Sequence, residues 1–254
     1  MMSDIIPESD IAGDQILGKR DRQEDYYAYV ILDDVDFPIK GLLGVLADGM
    51  GGHAAGDQAS KIAVETFADV FLNSKDTPIE TFKNALKIAN EKIGELSHRI
   101  GKECGCTILS FLIFNNSLIW ISVGDSSLML VRNGNIVRLN QDHSMRASAD
   151  KMFADGKIND AERDSLRNML ESALSGEKIE KIDIKETPFE LKKSDILIAA
   201  SDGIESISHD DLLKILESAS DASPFEKVSA ILCGIENSGN PNQDNTTIML
   251  TEIK

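Results

Sequence analysis

Two short apolar runs open the ordered pattern of the chain, YYAYVIL from Tyr26 and GLLGVLAD from Gly41, separated by the polar stretch DDVDFP. They read as adjacent buried strands joined by a turn. Two helices follow. The first carries Ile62, Ala63, Phe67, Val70 and Phe71 on one face. The second carries Ile79, Phe82, Leu86, Ala89, Ile93, Leu96 and Ile100 at alternating steps of three and four, the repeat of a helix with one side in a core. Thr77, Pro78 and Glu80 begin it as N-cap, first-turn proline and the returning acid of a capping box.

From Cys106 the period shortens: TILSFLIF, a turn at Asn115 and Asn116, SLIWISV, then LMLVR and IVRL joined across Asn133 and Gly134. We expect an antiparallel meander of about four strands here. Residues 145–176 return to helix-like composition, with Asn159 and Glu162 as a further capping pair, but lack a continuous apolar stripe, so we expect a partly exposed insert. Strands resume at IEKIDI and DILIAAS, two short helices start after Ser208 and Ser223, and TTIMLTEI closes the pattern, whereas the residues before Tyr26 read as a polar lead-in. This order is not the strict strand-helix alternation of a doubly wound parallel sheet. It fits an α+β layered domain spanning 1–254, in which amphipathic helices cover the outer faces of two sheets whose inner faces pack together.

Composition narrows the partners. Forty-three acids against 26 bases give a net charge of −17, which repels nucleic acid and anionic membrane surfaces. Such acidity serves solubility, and it also suits hard divalent cations. Cys104, Cys106 and Cys233 cannot all pair within one chain, so a reducing compartment is expected, and because a zinc site at Cys104 and Cys106 would need further ligands, those two are expected to be core cysteines. The start, MMSDIIPESD, lacks the basic and apolar regions of a signal peptide, and the apolar run from Ile108 to Val123 is interrupted by Asn115 and Asn116. We expect a soluble, cytoplasmic monomer. Trp120, inside a dense apolar run, reads as core.

Three acids share a local setting. Asp48 ends GLLGVLAD before Gly49, Asp202 ends ILIAASD before Gly203, and Asp244 precedes Asn245 at the last strand, so each is expected at a sheet edge; Glu24 and Asp25 directly precede the strand at Tyr26. A single Asp-Gly after a strand is usually a turn. A set of them is another matter, because several carboxylates buried together without cations would be costly. No local period brings acids this far apart into one place.

The motifs GKRDRQED at Gly18, LADGMGGH at Leu46, VGDSS at Val123, DHS at Asp142, SDGI at Ser201 and DNTT at Asp244 run the length of the chain. In order and spacing they resemble the protein phosphatase 2C (PP2C, PPM) family, particularly its bacterial branch. The resemblance implies an α-β-β-α sandwich and a phosphoprotein phosphatase that uses two Mn2+ or Mg2+ ions and a third in some members. It implies that a hydroxide between the two ions attacks phosphorus in line, with no covalent phosphoenzyme. Residue by residue, it implies that Arg20 binds substrate phosphate, that Asp48 bridges both metals and that the Gly49 carbonyl ligates one of them. Asp202 and Asp244 would hold the other ion, Glu24 and Asp25 would bind metal directly or through water, and Asp125 would hold the third ion with Asp202. It implies phosphorylated proteins, products of a serine/threonine kinase, as partners, and a flap formed by the insert at 145–176.

The sequence departs from the family at two places: Met50 stands where many eukaryotic members have a histidine proposed as general acid, and Ser127 replaces the arginine of the usual GDSR. His53 and His143 are nearby in sequence, and packing, capping or structural hydrogen bonds are the plainer roles for both. Without the motif, Arg20 would read as a surface ion pair with Asp21 or Glu24. Two rival functions are a catalytically silent phosphoprotein-binding module and a hydrolase of small phosphate esters; no Gly-rich phosphate loop supports nucleotide binding.

Overall fold

The computed structural model describes residues 10–33, 37–50, 55–167 and 169–254. Among the described residues twelve strands form two antiparallel sheets. One sheet has β1 (Ile11–Ile16), β12 (Thr246–Glu252), β11 (Ile196–Ala200), β7 (Ser127–Arg132) and β8 (Asn135–Arg138), in that spatial order. The other has β10 (Phe189–Glu190), β6 (Ser117–Val123), β5 (Ile108–Phe114), β3 (Gly41–Met50) and β2 (Asp25–Leu32), with β4 (Gly105–Cys106) paired to β3 and β9 (Asp183–Ile184) paired to β6.

Strand alternation builds the layers. Along β3, Leu42 and Leu46 face Phe111, Leu128, Leu130, Leu197 and Met249 in a core between the two sheets. Leu43, Val45 and Ala47 face outward into a second core, covered by α1 (Gly56–Asn73) and α2 (Pro78–Ile100). On the opposite outer face, α5 (His209–Ser218) and α6 (Pro224–Glu236) cover Ile198, Ala200, Ile248 and Leu250. This is the expected α-β-β-α arrangement. Phe67, Phe71 and Phe82 are fully buried, and Phe71 meets Phe82 edge-on at 4.8 Å between ring centres. The capping boxes at Thr77–Glu80 and Ser223–Glu226 both form, each contributing about 1 kcal/mol to its helix start.

Three sequence expectations are corrected. The run from Cys106 to Leu139 is not one meander: β5 and β6 pair in one sheet and β7 and β8 in the other, so the chain changes sheets between Val123 and Ser127. The polar lead-in contains β1, which pairs along its whole length with β12. Only Ala12 of β1 is buried, so it lacks the apolar alternation that reveals a strand. IEKIDI shrinks to the two-residue β9.

The insert at 145–176 holds α3 (Arg146–Ala154) and α4 (Asp160–Arg167), with Ala149 the one buried residue described in either helix. Asn159 and Glu162 exchange both capping hydrogen bonds. The base of the insert is tied down where Ser144 bridges Leu170 and Cys106 bridges Leu174. Trp120 is buried and donates to Asp183 at 2.9 Å. Cys104 and Cys106 are buried and free, the core positions expected for them, whereas Cys233 is free and exposed. Among the described residues no helix is long and apolar enough to cross a membrane.

Candidate active site

The two sheets share one end at which β2 begins, β3 and β11 finish, β12 begins and β6 hands over to β7. Every acid singled out from the sequence lies there. Asp25 opens β2 directly opposite Asp48 on β3. Asp48 lies two residues beyond Leu46, on the same inner face, near the end of a central strand and not on an edge strand. Asp202 starts a short 3-10 helix (Asp202–Ser206) after β11, Asp244 precedes β12, and Asp125 lies between β6 and β7.

Asp25 is held from the opposite sheet. Its Oδ2 accepts from Ser201 Oγ at 2.7 Å and from Thr247 Oγ1 at 2.7 Å, while its Oδ1 is buried without a partner. Burial pushes the Asp25 carboxyl up to about 6, against the two hydroxyl bonds that stabilise its charge. Asp202 also has a buried, unpartnered Oδ1, and burial followed by the charges of Asp125, Asp244 and Asp25 raises it to about 7. Asp48 is pushed well above the usual carboxylate range by burial and then by Asp25, Asp202, Asp125 and Asp244. Burial likewise raises Asp125 and Glu24.

Close backbone packing aims these groups. A β-carbon on Gly49 would stand 2.2 Å from the Gly56 carbonyl oxygen and 2.5 Å from that of Glu24, so only glycine fits. Gly49 N–H donates to the Glu24 carbonyl at 3.1 Å and Ser60 Oγ to the same oxygen at 2.6 Å, fixing Glu24 beside β3. Gly124 adopts φ +105 against Thr107. Thr107 Oγ1 accepts from Asp48 N–H at 3.0 Å and bonds Ser126 Oγ at 2.8 Å, linking the Asp48 strand to the Asp125 loop.

Arg20 is more than half exposed and donates to Asp244 Oδ2 at 2.5 Å, so its ion partner is neither Asp21 nor Glu24. Asn245 clasps the same loop: its Oδ1 accepts from Glu24 N–H at 2.8 Å, and its Nδ2 donates to the carbonyls of Leu17 and Arg22 at 2.9 and 3.0 Å. His143 is buried, and its Nδ1 accepts from Gly124 N–H at 3.3 Å, the structural role expected for it. His53 lies outside the described residues. Ser127 is buried with its Oγ unpartnered, and Arg138 instead brings a guanidinium under the loop, donating to the Asp125 carbonyl at 2.7 Å. Met50, half-buried, ends β3 opposite Gly105.

Ser201, Thr247, Thr107, Arg138 and Asn245 were not singled out from the sequence. Ser201 stands in the SDGI motif and Asn245 and Thr247 in the DNTT motif, a signal that could have found these three, whereas Thr107 and Arg138 carry none.

Among the described residues no three carboxylate, imidazole or thiolate side chains form a ready-made ion cage. The chemistry of the donor set nevertheless fits hard divalent cations. All its charged ligands are oxygen, two buried carboxylate oxygens have no donor, and the raised carboxyls mark negative charge without enough compensation. A groove of about 670 Å3 lies away from this end, lined by α2 and residues 176–184, and a smaller indentation lies beside Met50 and the insert.

Comparison with known proteins places this arrangement. The family model described as Protein phosphatase 2C matches residues 12–238. The serine/threonine phosphatase stp of Listeria welshimeri is 28% identical over 223 residues, covering 82% of this chain and 83% of that protein. Among solved structures, the Streptococcus agalactiae serine/threonine phosphatase superposes with a TM-score of 0.79 at 23% identity, covering 96% of this chain and 99% of that one. The catalytic domain of the serine threonine protein phosphatase PstP, in complex with 2 manganese ions, superposes with a TM-score of 0.74 at 24% identity, covering 95% and 96%. The family model spans most of the sheets, the helices that cover them and all but the last of the acids gathered at their common end, so the chain belongs to the protein phosphatase 2C family.

Proposed function

We propose that this chain is a metal-dependent protein-serine/threonine phosphatase whose reaction centre is the carboxylate cluster at the common end of the two sheets. The observation that carries the reading is the convergence of Asp25, Asp48, Asp125, Asp202 and Asp244 from both sheets, with buried oxygens of Asp25 and Asp202 left without donors. Divalent ions, if held there by these carboxylates, would supply positive charge to the transferring phosphoryl group and would acidify a water for in-line attack. Manganese is one candidate and magnesium the other.

Asp48, flanked by Asp25 and the far-sheet acids, is the residue placed to serve two ions at once, with the Gly49 carbonyl beside it. Asp202 and Asp244 serve the far-sheet side, and Glu24 and Asp25 the near side. Asp125, together with Asp202, offers a third, weaker position. Arg20, on an exposed loop, exchanges its Asp244 partner for phosphate oxygens, which its planar fork can hold in bidentate fashion. Its loop is anchored by Asn245, so the guanidinium moves while its backbone stays.

Phosphoproteins made by a serine/threonine kinase are the substrates in this reading, met in the cytoplasm by a monomer. The whole chain acts as one phosphatase domain, and its insert at 145–176 is a flap that selects among them. The silent-module alternative has no support from the site, since every acid of the set is present. Phosphate release from a phosphothreonine peptide and from p-nitrophenyl phosphate, each with Mn2+, Mg2+ and chelator, tests the proposal. Release that requires a divalent ion is expected from both. Release unaffected by chelator, or none from the peptide, overturns it.

A further inference from the structure

Asp202 and Asp244 come from neighbouring strands, one just after β11 and the other just before β12, and a single side chain joins the two segments that carry them. Gln243 is buried, with 3% of its surface exposed. Its Nε2 donates to the Gly203 carbonyl at 3.1 Å, to the Asp244 carbonyl at 3.1 Å and to Thr246 Oγ1 at 2.8 Å. Two amide hydrogens thus serve three oxygens, while the Oε1 of the same amide is buried without a donor. Turning the amide over would set that oxygen against two carbonyls, so its orientation is fixed by its neighbours. A side chain present for packing alone would be apolar here; an amide brings an unmet oxygen that lowers stability, and what it gains is the hold of its NH2 group. The backbone is packed closely on both sides of this hold. A β-carbon on Gly203 would collide with the Asn245 carbonyl and the Thr246 hydroxyl, and one on Gly18 with the carbonyls of Gln243 and Asp244. The same two segments have a second, outer tie at the far end of the 3-10 helix, where Asn240 Nδ2 donates to Ser206 Oγ at 3.0 Å.

We propose that Gln243 is a positioning residue that fixes the separation of Asp202 from Asp244 before any ion arrives. This rests on reading those acids as ligands of a divalent ion. Two carboxylates repel each other, and without a brace the segments that carry them would drift apart, so that binding an ion would first have to draw them together. The amide of Gln243 grips the carbonyl next to each acid, that of Gly203 after Asp202 and that of Asp244 itself, and therefore acts on the backbone and not on the carboxylates. Its place is outside the ion's own ligands, and its effect is to hold them ready.

Calorimetric titration of the full chain with Mn2+ tests this in the wild type, Gln243→Met, Gln243→Asn and Asn240→Ala, with p-nitrophenyl phosphate kinetics at saturating Mn2+ as a second reading. Gln243→Met keeps the length and loses the donors, whereas Gln243→Asn keeps the amide and falls one carbon short. Both are expected to weaken Mn2+ binding about tenfold, through loss of the bonds to the two carbonyls. Both should lower kcat while KM stays within about twofold of wild type, since neither touches the substrate. Asn240→Ala cuts the outer tie and should bind Mn2+ within about twofold of wild type. Wild-type affinity in the Gln243 variants, or an equal loss in Asn240→Ala, makes Gln243 a structural residue and overturns the proposal while the ion site stands; if one Gln243 variant fails to fold, the other decides. No Mn2+ bound by the wild type overturns the ion site, and the role of Gln243 with it.

Discussion

The space between the two sheets is filled in two ways. In its middle, Leu46, Phe111, Leu130, Leu197 and Met249 pack as an apolar layer. One step further along the same face of β3, Asp48 faces Asp25, which is gripped by Ser201 and Thr247 from the other sheet. The same strands therefore build a region that gains free energy from burial and a region that loses it. Carboxylates raised by burial are tolerated because the apolar layer and the outer helices hold the strand ends together regardless. The carboxylate end is the part of the molecule whose stability should depend on ions and pH, and the apolar middle the part where it should not.

Four experiments test that contrast. The largest effect is expected for Asp48→Asn, which should lower phosphatase turnover by at least about a thousandfold, because the ions proposed to bind there would contribute several kcal/mol to the transition state. The same substitution should raise the melting temperature in chelator, since it removes a buried charge. A folded variant keeping more than about a tenth of wild-type turnover would sink the assignment. Leu46→Ala, two residues away, should do the reverse: a loss of about 3 kcal/mol and a melting temperature lower by about 10 °C, with metal dependence intact. If it changed metal affinity as much as stability, the two regions would not be separable.

A smaller effect is expected from replacing residues 146–167 with a short linker. Selectivity among phosphopeptides should change by about tenfold and turnover of p-nitrophenyl phosphate by less than about threefold, because these helices bury little. Equal losses on both substrates would make the insert structural. The smallest effect concerns pH. An unfolded aspartate titrates near ~3.9, whereas Asp25 and Asp202 titrate at about 6 and about 7 in the fold. Between those values the native state binds more protons than the unfolded chain, so stability in chelator should fall as pH rises from about 4 to about 7 and stay low above. Calorimetric scans should show a drop of at least about 2 °C across that window, abolished by saturating Mn2+. A rise with pH in chelator would contradict the burial argument.

What was legible in the sequence follows from range. Phe67, Phe71, Phe82 and Leu86 announce their helices by local spacing, and Thr77 with Glu80 marks a start within four residues. β1 announces nothing, because its place depends on β12 more than two hundred residues away and just one of its side chains is buried. The jump between sheets after Val123 is equally silent: a turn within a sheet and a crossing between sheets present the same Gly-Asp-Ser signal. At the site, Asp48, Asp202 and Asp244 were visible as acids at strand ends, but their convergence came from the family resemblance and not from any period. Ser201 and Thr247 look like ordinary strand hydroxyls; only the tertiary packing, which sets both against Asp25, distinguishes them.

The clasp made by Asn245 also bears on the order of events during synthesis. Residues 17–24, which carry Arg20 and Glu24, are shaped by a side chain made more than two hundred residues later, and among the described residues β1 has no strand partner besides β12. The ribosome thus exposes the α1–α2 half of the molecule long before the proposed site can assemble, and on that proposal a nascent chain should not remove phosphate until β12 has emerged. Chains stalled at Gln243 should fold their helices yet leave the segment from Gly18 to Glu24 open to protease, and protection of that segment before Asn245 is exposed would show that the loop shapes itself.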